Sequence, residues 1–208
     1  RFWDFESFHM IDHWAQWIEE GRCMVFAVDS IDGEAWAAMG ADNRWRTENH
    51  ERWYHYIVDE LVPYIHYLSG EGILTFGASM GAMHAANLFF RRPDLFTGVF
   101  AISGLYDSYD GFGDYMDDIL YNNCPVFYLP NMPADHPYLQ MYNERQILIV
   151  VGRGRWEEAL VESTDRLNHV LRSKGINATV DYWGHDVDHD WPWWYKMVAH
   201  YVPRLLGY

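Results

Sequence analysis

Residues 77–81 read Gly-Ala-Ser-Met-Gly and follow the apolar run ILTF. A serine between two glycines, with a strand before it and a helix after it, can ride on a sharp turn with its hydroxyl clear of the backbone. That hydroxyl becomes a nucleophile only when a base takes its proton and a third group orients the base. The same turn aims the backbone N–H of Met80, at a helix start, toward the place where an oxyanion would form. Bulk at Gly77 or Gly81 is expected to collide with neighbouring strand or helix backbone. The bland alternative is a glycine-rich turn with an idle serine. The strand before and the helix after favour Ser79 as a nucleophile.

The candidate bases lie near the end of the chain, in GHDVDHDWPWW at 184–194. His185 and His189 are four apart, as two metal ligands on one helix face would be. Gly184, however, follows a strand-like run, and a helix opens more naturally near Pro192. Both histidines then fall in a loop, and no glutamate stands where an H-E-x-x-H zinc motif needs one. A base after the last strand suits the chain order serine, acid, histidine. Spacing prefers His189, with His185 left as a brace for the loop. The acid is sought after ILIVV, where GRGRWEE offers Glu157 and Glu158. Either could also serve as an N-terminal acid favoured by the helix dipole. Asp107, after GVFAIS, is a lesser candidate. The aspartates of the histidine loop read as solvated or structural, and His84 as a packed helix residue.

These residues need a scaffold, and the chain alternates helix and strand patterns. Residues 5–20 carry Met10, Trp14, Trp17 and Ile18 at helical spacing, stopped by Gly21. A helix over 47–68 places Trp53, Ile57, Leu61, Ile65 and Leu68 on one face, with a kink expected at Pro63. Further helices are predicted over 80–92, along Leu160, Thr164, Leu167 and Leu171 up to Gly175, and from Pro192 onward. Five runs read as strands: 23–29, 73–77, 98–103, 147–151 and 177–183. Near-continuous apolar strands separated by helices predict an α/β, three-layer sandwich with a mainly parallel sheet. In such sheets chemistry sits at the carboxyl ends of the strands, which is where Ser79, Glu157 and His189 fall. We read residues 1–208 as one domain, with 105–146 as a lid-like excursion. Tyr106, Phe112 and Tyr115 in that excursion are candidates to wall an acyl pocket, or else pack the lid. Trp36 and Glu34 border a strand end, Trp36 equally as a structural residue, and Arg91 and Arg92 are placed to cap the helix after the serine.

The bulk composition narrows the partners. A formal net charge of −15 argues against phosphate backbones, so no nucleic-acid partner is expected. No run approaches the roughly 20 apolar residues of a membrane span. Aromatics at 18% favour aromatic-walled packing. Two cysteines, Cys23 and Cys124, form neither a disulfide framework nor a zinc set, which points to a reduced, cytoplasmic setting. No cofactor is implied, and a homo-oligomer is left open.

The elbow GASMGAMHAANLFFRRPDLF, the strand AISGLYD and the ending GHDVDHDWPWW together resemble the alpha/beta-hydrolase superfamily. More narrowly they resemble bacterial esterases related to the esterase D, S-formylglutathione hydrolase and antigen 85 group. The resemblance implies Ser79 as nucleophile and raises His189 over His185, because His189-Asp190-Trp191 with Trp193 and Trp194 fits the group's ending. It also implies Glu157, the glutamate directly after the tryptophan, as the acid. The opening RFWDFESF is similar to the tail of that group's glycine-containing loop. It implies a hydrolase fold lacking its first strands, with a second oxyanion donor from backbone near Arg1 or Phe2, or an inactive chain without one. The implied function is hydrolysis of a small carboxylic ester through an acyl-enzyme. The alternatives are an acyltransferase on the same three residues, a non-catalytic binding protein on a hydrolase fold, and, third, a metal-dependent hydrolase.

Overall fold

A computed structural model of the chain describes residues 3–207. Its centre is one sheet of four parallel strands in the order β1-β2-β3-β4, with β1 at Ile73–Ala78, β2 at Phe96–Ile102, β3 at Gln146–Val151 and β4 at Thr179–Tyr182. Strand side chains alternate between the two faces, and the core divides accordingly. Val99, Ala101, Ile147 and Ile149 pack on one side; Phe100, Ile102, Leu148 and Val150 pack on the other.

The first face is covered by three helical stretches. A long one begins as α1 (Asn43–His55), widens into a π-helical stretch at Tyr56–Leu61 and continues as α2 (Val62–Ser69). Asp42 caps its start, accepting from the N–H of Trp45 at 2.9 Å, and Gly70 ends it at φ 67°. The expected disturbance at Pro63 takes the form of this π segment just upstream. A proline has no N–H for the preceding turn, and a wider turn accommodates its ring. The other two are α3 (Met80–Arg91) and α4 (Glu158–Ser173), with Ala86, Phe89, Phe90, Leu167 and Leu171 fully buried or nearly so. The second face is covered by α5 (Trp191–Leu205), through Trp194, Met197, Val198 and Val202, and by the amino-terminal segment through Met10, Trp14 and Trp17. The arrangement is the predicted α/β sandwich.

Two predicted elements differ. The helix read over 5–20 is split into Asp4–Ser7, a 3₁₀ turn at Met10–His13 and Ala15–Glu19. His9 sits in the left-handed region at φ 57° and breaks the run. The apolar face survives the break, which is why its spacing looks continuous. The strand read over 23–29 is not a strand. It runs beside the free edge of β1, separated from it by a cavity of about 590 Å³ lined by Met24, Phe26, Val28, Leu61, Leu74 and Phe76 among others. Strand propensity acts through neighbours on a ladder, and 23–29 has no ladder partner among the described residues. Met24 and Phe26 are left exposed.

The excursion 105–146 is built from short helices: Tyr109–Phe112, Asp118–Asn122, Pro125–Tyr128, Leu129–Asn131 and Pro137–Asn143. Tyr106 and Phe112 are buried in separate core clusters, and the Tyr115 hydroxyl donates to Asp117 at 2.8 Å. Trp36 is also core, edge-on to Phe112, while Glu34 is exposed. Arg91 and Arg92 do not bind the carbonyls of α3 with their side chains. Carboxylates nearby outcompete a helix end for a guanidinium: Arg91 is paired with Glu51 and Arg92 with Asp94.

Candidate active site

All four strands end, at their carboxyl termini, beneath one small cluster of polar side chains. β1 delivers Ser79. It sits at φ 56° and ψ −123°, a conformation L residues seldom adopt, held by its own N–H donating to Ile102 O at 2.9 Å and by the start of α3 behind it. Gly77 makes the turn possible: a Cβ there would lie 2.2 Å from the backbone of Gly81. The expectation for Gly81 itself is corrected. A Cβ there meets nothing within 4 Å, because only its backbone faces Gly77. Met80 begins α3, so its N–H belongs to the unsatisfied first turn beside the serine.

β4 leads into the histidine loop. His189 Nε2 lies 2.9 Å from Ser79 Oγ, and the ring stands edge-on to Trp194 with centroids 4.9 Å apart. His185 is exposed on the turn. The loop is fastened to the one that follows β3. Gly154 N–H donates to Val187 O at 2.8 Å and His189 N–H to Arg155 O at 3.0 Å. The Asp188 carboxylate accepts from the Arg155 N–H and from its guanidinium, both at 2.8 Å. Those bonds, the backbone one first, hold the Asp188 carboxyl below the usual carboxylate range. Asp190 caps α5 through the N–H of Trp191. Asp188 and Asp190 are thus structural.

The loop after β3 carries the candidate acid. Glu157 occupies the N-cap position of α4 and is completely buried. Its Oε1 lies 3.4 Å from His189 Nδ1, within ion-pair range though not aligned as a hydrogen bond, and accepts from Ser103 Oγ at 2.7 Å. Glu158, the neighbouring candidate, is exposed in the first turn of α4. Asp107 is buried elsewhere, accepting from Ser163 at 2.6 Å and Arg166 at 3.0 Å. His84 is buried and bonded to Asp32 at 2.8 Å.

The structure therefore brings Ser79, His189 and Glu157 together and leaves out His185, Glu158 and Asp107. The second donor expected near Arg1 or Phe2 lies outside the described residues. Among the described residues no group of three His, Cys, Asp or Glu could hold a metal ion, and no helix is long and apolar enough to cross a membrane. The large cavity beside β1 is not the mouth of this cluster; neither Ser79, His189 nor Glu157 lines it. One member of the cluster, Ser103, escapes sequence reasoning. Its only signal is a serine-glycine pair ending the strand next to the elbow strand.

A parallel sheet between helical layers, with a strained serine between β1 and α3, defines the alpha/beta-hydrolase class. Within that class the chain belongs to the Esterase family ("Putative esterase"), which matches residues 4–205. Ester hydrolysis is the general activity that membership supports. Among solved structures the chain is similar to a ferulic acid esterase at 18% identity and TM-score 0.66, covering 98% of this chain and 79% of that one. It is similar to an S-formylglutathione hydrolase from Agrobacterium tumefaciens at 15% identity and TM-score 0.53, covering 80% of this chain and 58% of that one. A fluorophosphonate-binding serine hydrolase of Staphylococcus aureus aligns at 15% identity and TM-score 0.57, over 86% of this chain and 70% of that one. At these identities the likeness is one of fold. No curated protein matches the chain.

Proposed function

We propose that the chain is a serine esterase that cleaves a carboxylic ester through an acyl-enzyme, with Ser79, His189 and Glu157 as its triad. The observation that carries this reading is the 2.9 Å approach of His189 Nε2 to Ser79 Oγ, with a buried carboxylate on the other side of the ring. Ser79 Oγ attacks the ester carbonyl as its proton passes to His189 Nε2. The Met80 N–H donates to the oxyanion of the tetrahedral intermediate. His189 then returns the proton to the departing alcohol, leaving an acyl-Ser79 ester. Water, deprotonated by His189, attacks that ester and frees the acid and the serine. Glu157 fixes the ring orientation and steadies the imidazolium that forms twice per cycle.

A fluorophosphonate probe tests the reading directly. Folded and heat-denatured protein are labelled side by side and the modified peptide is mapped by mass spectrometry. Labelling of Ser79 in the folded sample, lost in Ser79→Ala and His189→Gln, supports the triad. Absence of label on folded wild-type protein refutes it and favours a binding protein on a hydrolase fold. With an ester substrate, transfer of the acyl group to an added alcohol in preference to water would make the enzyme an acyltransferase with the same chemistry.

A further inference from the structure

Beyond the three residues above, the site holds a fourth polar side chain with no assigned role. Ser103 directly follows β2, between the strand of the serine and the strand of the acid. It is fully buried and stands at φ 52°, where glycine is the comfortable residue. Its N–H is spent on Val150 O at 2.7 Å, which pins it to β3. Its hydroxyl lies 2.7 Å from Glu157 Oε1. A side chain that keeps a strained backbone in a buried place marks a functional constraint.

The need for it follows from the surroundings of Glu157. A carboxylate removed from water requires donors. Oε2 has no partner, and the contact from His189 Nδ1 to Oε1 is long and poorly aligned. Ser103 therefore supplies the one well-formed hydrogen bond that the side chain of Glu157 receives among the described residues. Two other titratable groups face Glu157 among the described residues. They are His189 from its loop and the phenol of Tyr106, which burial keeps neutral by pushing its ionisation far up.

We propose that Ser103 is a positioning residue: its hydroxyl anchors Glu157 Oε1 and keeps that carboxyl turned toward His189. This role rests on the serine-esterase reading. Without the hydroxyl, the state with ionised Glu157 and neutral His189 loses its fixed donor. A proton on the pair then relieves an uncompensated buried charge, so the first protonation moves to higher pH. The acid limb of the kcat/KM profile should shift up by about one pH unit, and kcat should fall roughly 10- to 100-fold with KM changed less than about 2-fold.

Two variants of the full chain separate the hydroxyl from the backbone. Ser103→Ala removes the hydroxyl and keeps the strain. Ser103→Gly removes the hydroxyl and relieves the strain, which secures a folded protein. Both should show the fall in kcat and the shifted limb, with Ser79 still labelled by fluorophosphonate, more slowly. A wild-type profile in both variants overturns the role. A loss in Ser103→Ala that Ser103→Gly restores also overturns it, since the backbone alone would then matter. Folded wild-type protein that fails to label at Ser79 overturns the esterase reading and this role with it.

Discussion

Gly152→Ala should disable the site from outside it. Gly152 follows β3, and a Cβ built there lies 2.3 Å from Val187 O and 2.9 Å from Val187 Cγ1. Ordinary contact begins near 3.4 Å, so the histidine loop must retreat by about 1 Å. Val187 is two residues from His189, and the loop is held by the bond from Gly154 N–H to Val187 O, so the displacement reaches the ring. Moving His189 Nε2 that far from its 2.9 Å contact with Ser79 Oγ ends direct proton transfer in the resting geometry. A misplacement of about 1 Å can cost on the order of 100-fold in rate. The strain of one extra methyl in a packed place costs about 1–3 kcal/mol, which a stable domain survives. The assay pairs kcat/KM on a chromogenic ester with the urea midpoint of the same preparation. A folded Gly152→Ala protein within about 3-fold of wild-type activity would refute the claim that the docking of the two loops sets the catalytic distance.

Three further outcomes follow from the geometry. Glu157→Gln should fold, because an amide still accepts from Ser103, but lower kcat by roughly 10²- to 10⁴-fold through loss of the imidazolium's counter-charge, read by steady-state kinetics. His50 is buried against His84 and Trp53, and burial, aided by His84, pushes its titration from 6.5 down to about 3. A depressed histidine adds stability that is complete above 6.5 and is lost as the unfolded chain takes up protons below it. Urea unfolding should thus show a drop of roughly 1.5 kcal/mol between pH 6.5 and 5 from this group alone, absent in His50→Phe. The Tyr142 hydroxyl donates to Phe90 O within the core. Tyr142→Phe leaves that carbonyl unpaired and should cost about 1–3 kcal/mol by chemical denaturation, with kcat/KM unchanged.

The parts of this protein that could be read from sequence are those whose cause is local. The elbow is one of them: a serine forced to φ 56° needs Gly77 to let Gly81 approach, and both glycines lie within two residues of it. The strands GVFAI and ILIVV announce themselves because both faces of the sheet are covered there, whereas ILTF, at the edge, is only partly buried. Glu157 and Glu158 could not be separated by composition or position. Only the docking of a loop some thirty residues later decides which carboxylate is buried. Residues 23–29 fail for the complementary reason. CMVFAVD has the pattern of a strand, yet a strand exists only where a second backbone stands beside it, and a cavity separates this run from β1. Ser103 was invisible on both counts. Neither its left-handed backbone nor its bond to a residue 54 positions away leaves a trace in periodicity. Yet strand order alone would have pointed to it. In a sheet ordered β1-β2-β3-β4, Ser79 follows β1, Glu157 follows β3 and His189 follows β4, so the residue after β2 stands between Ser79 and Glu157. A polar residue there is placed by topology against Glu157, whatever its neighbours in sequence.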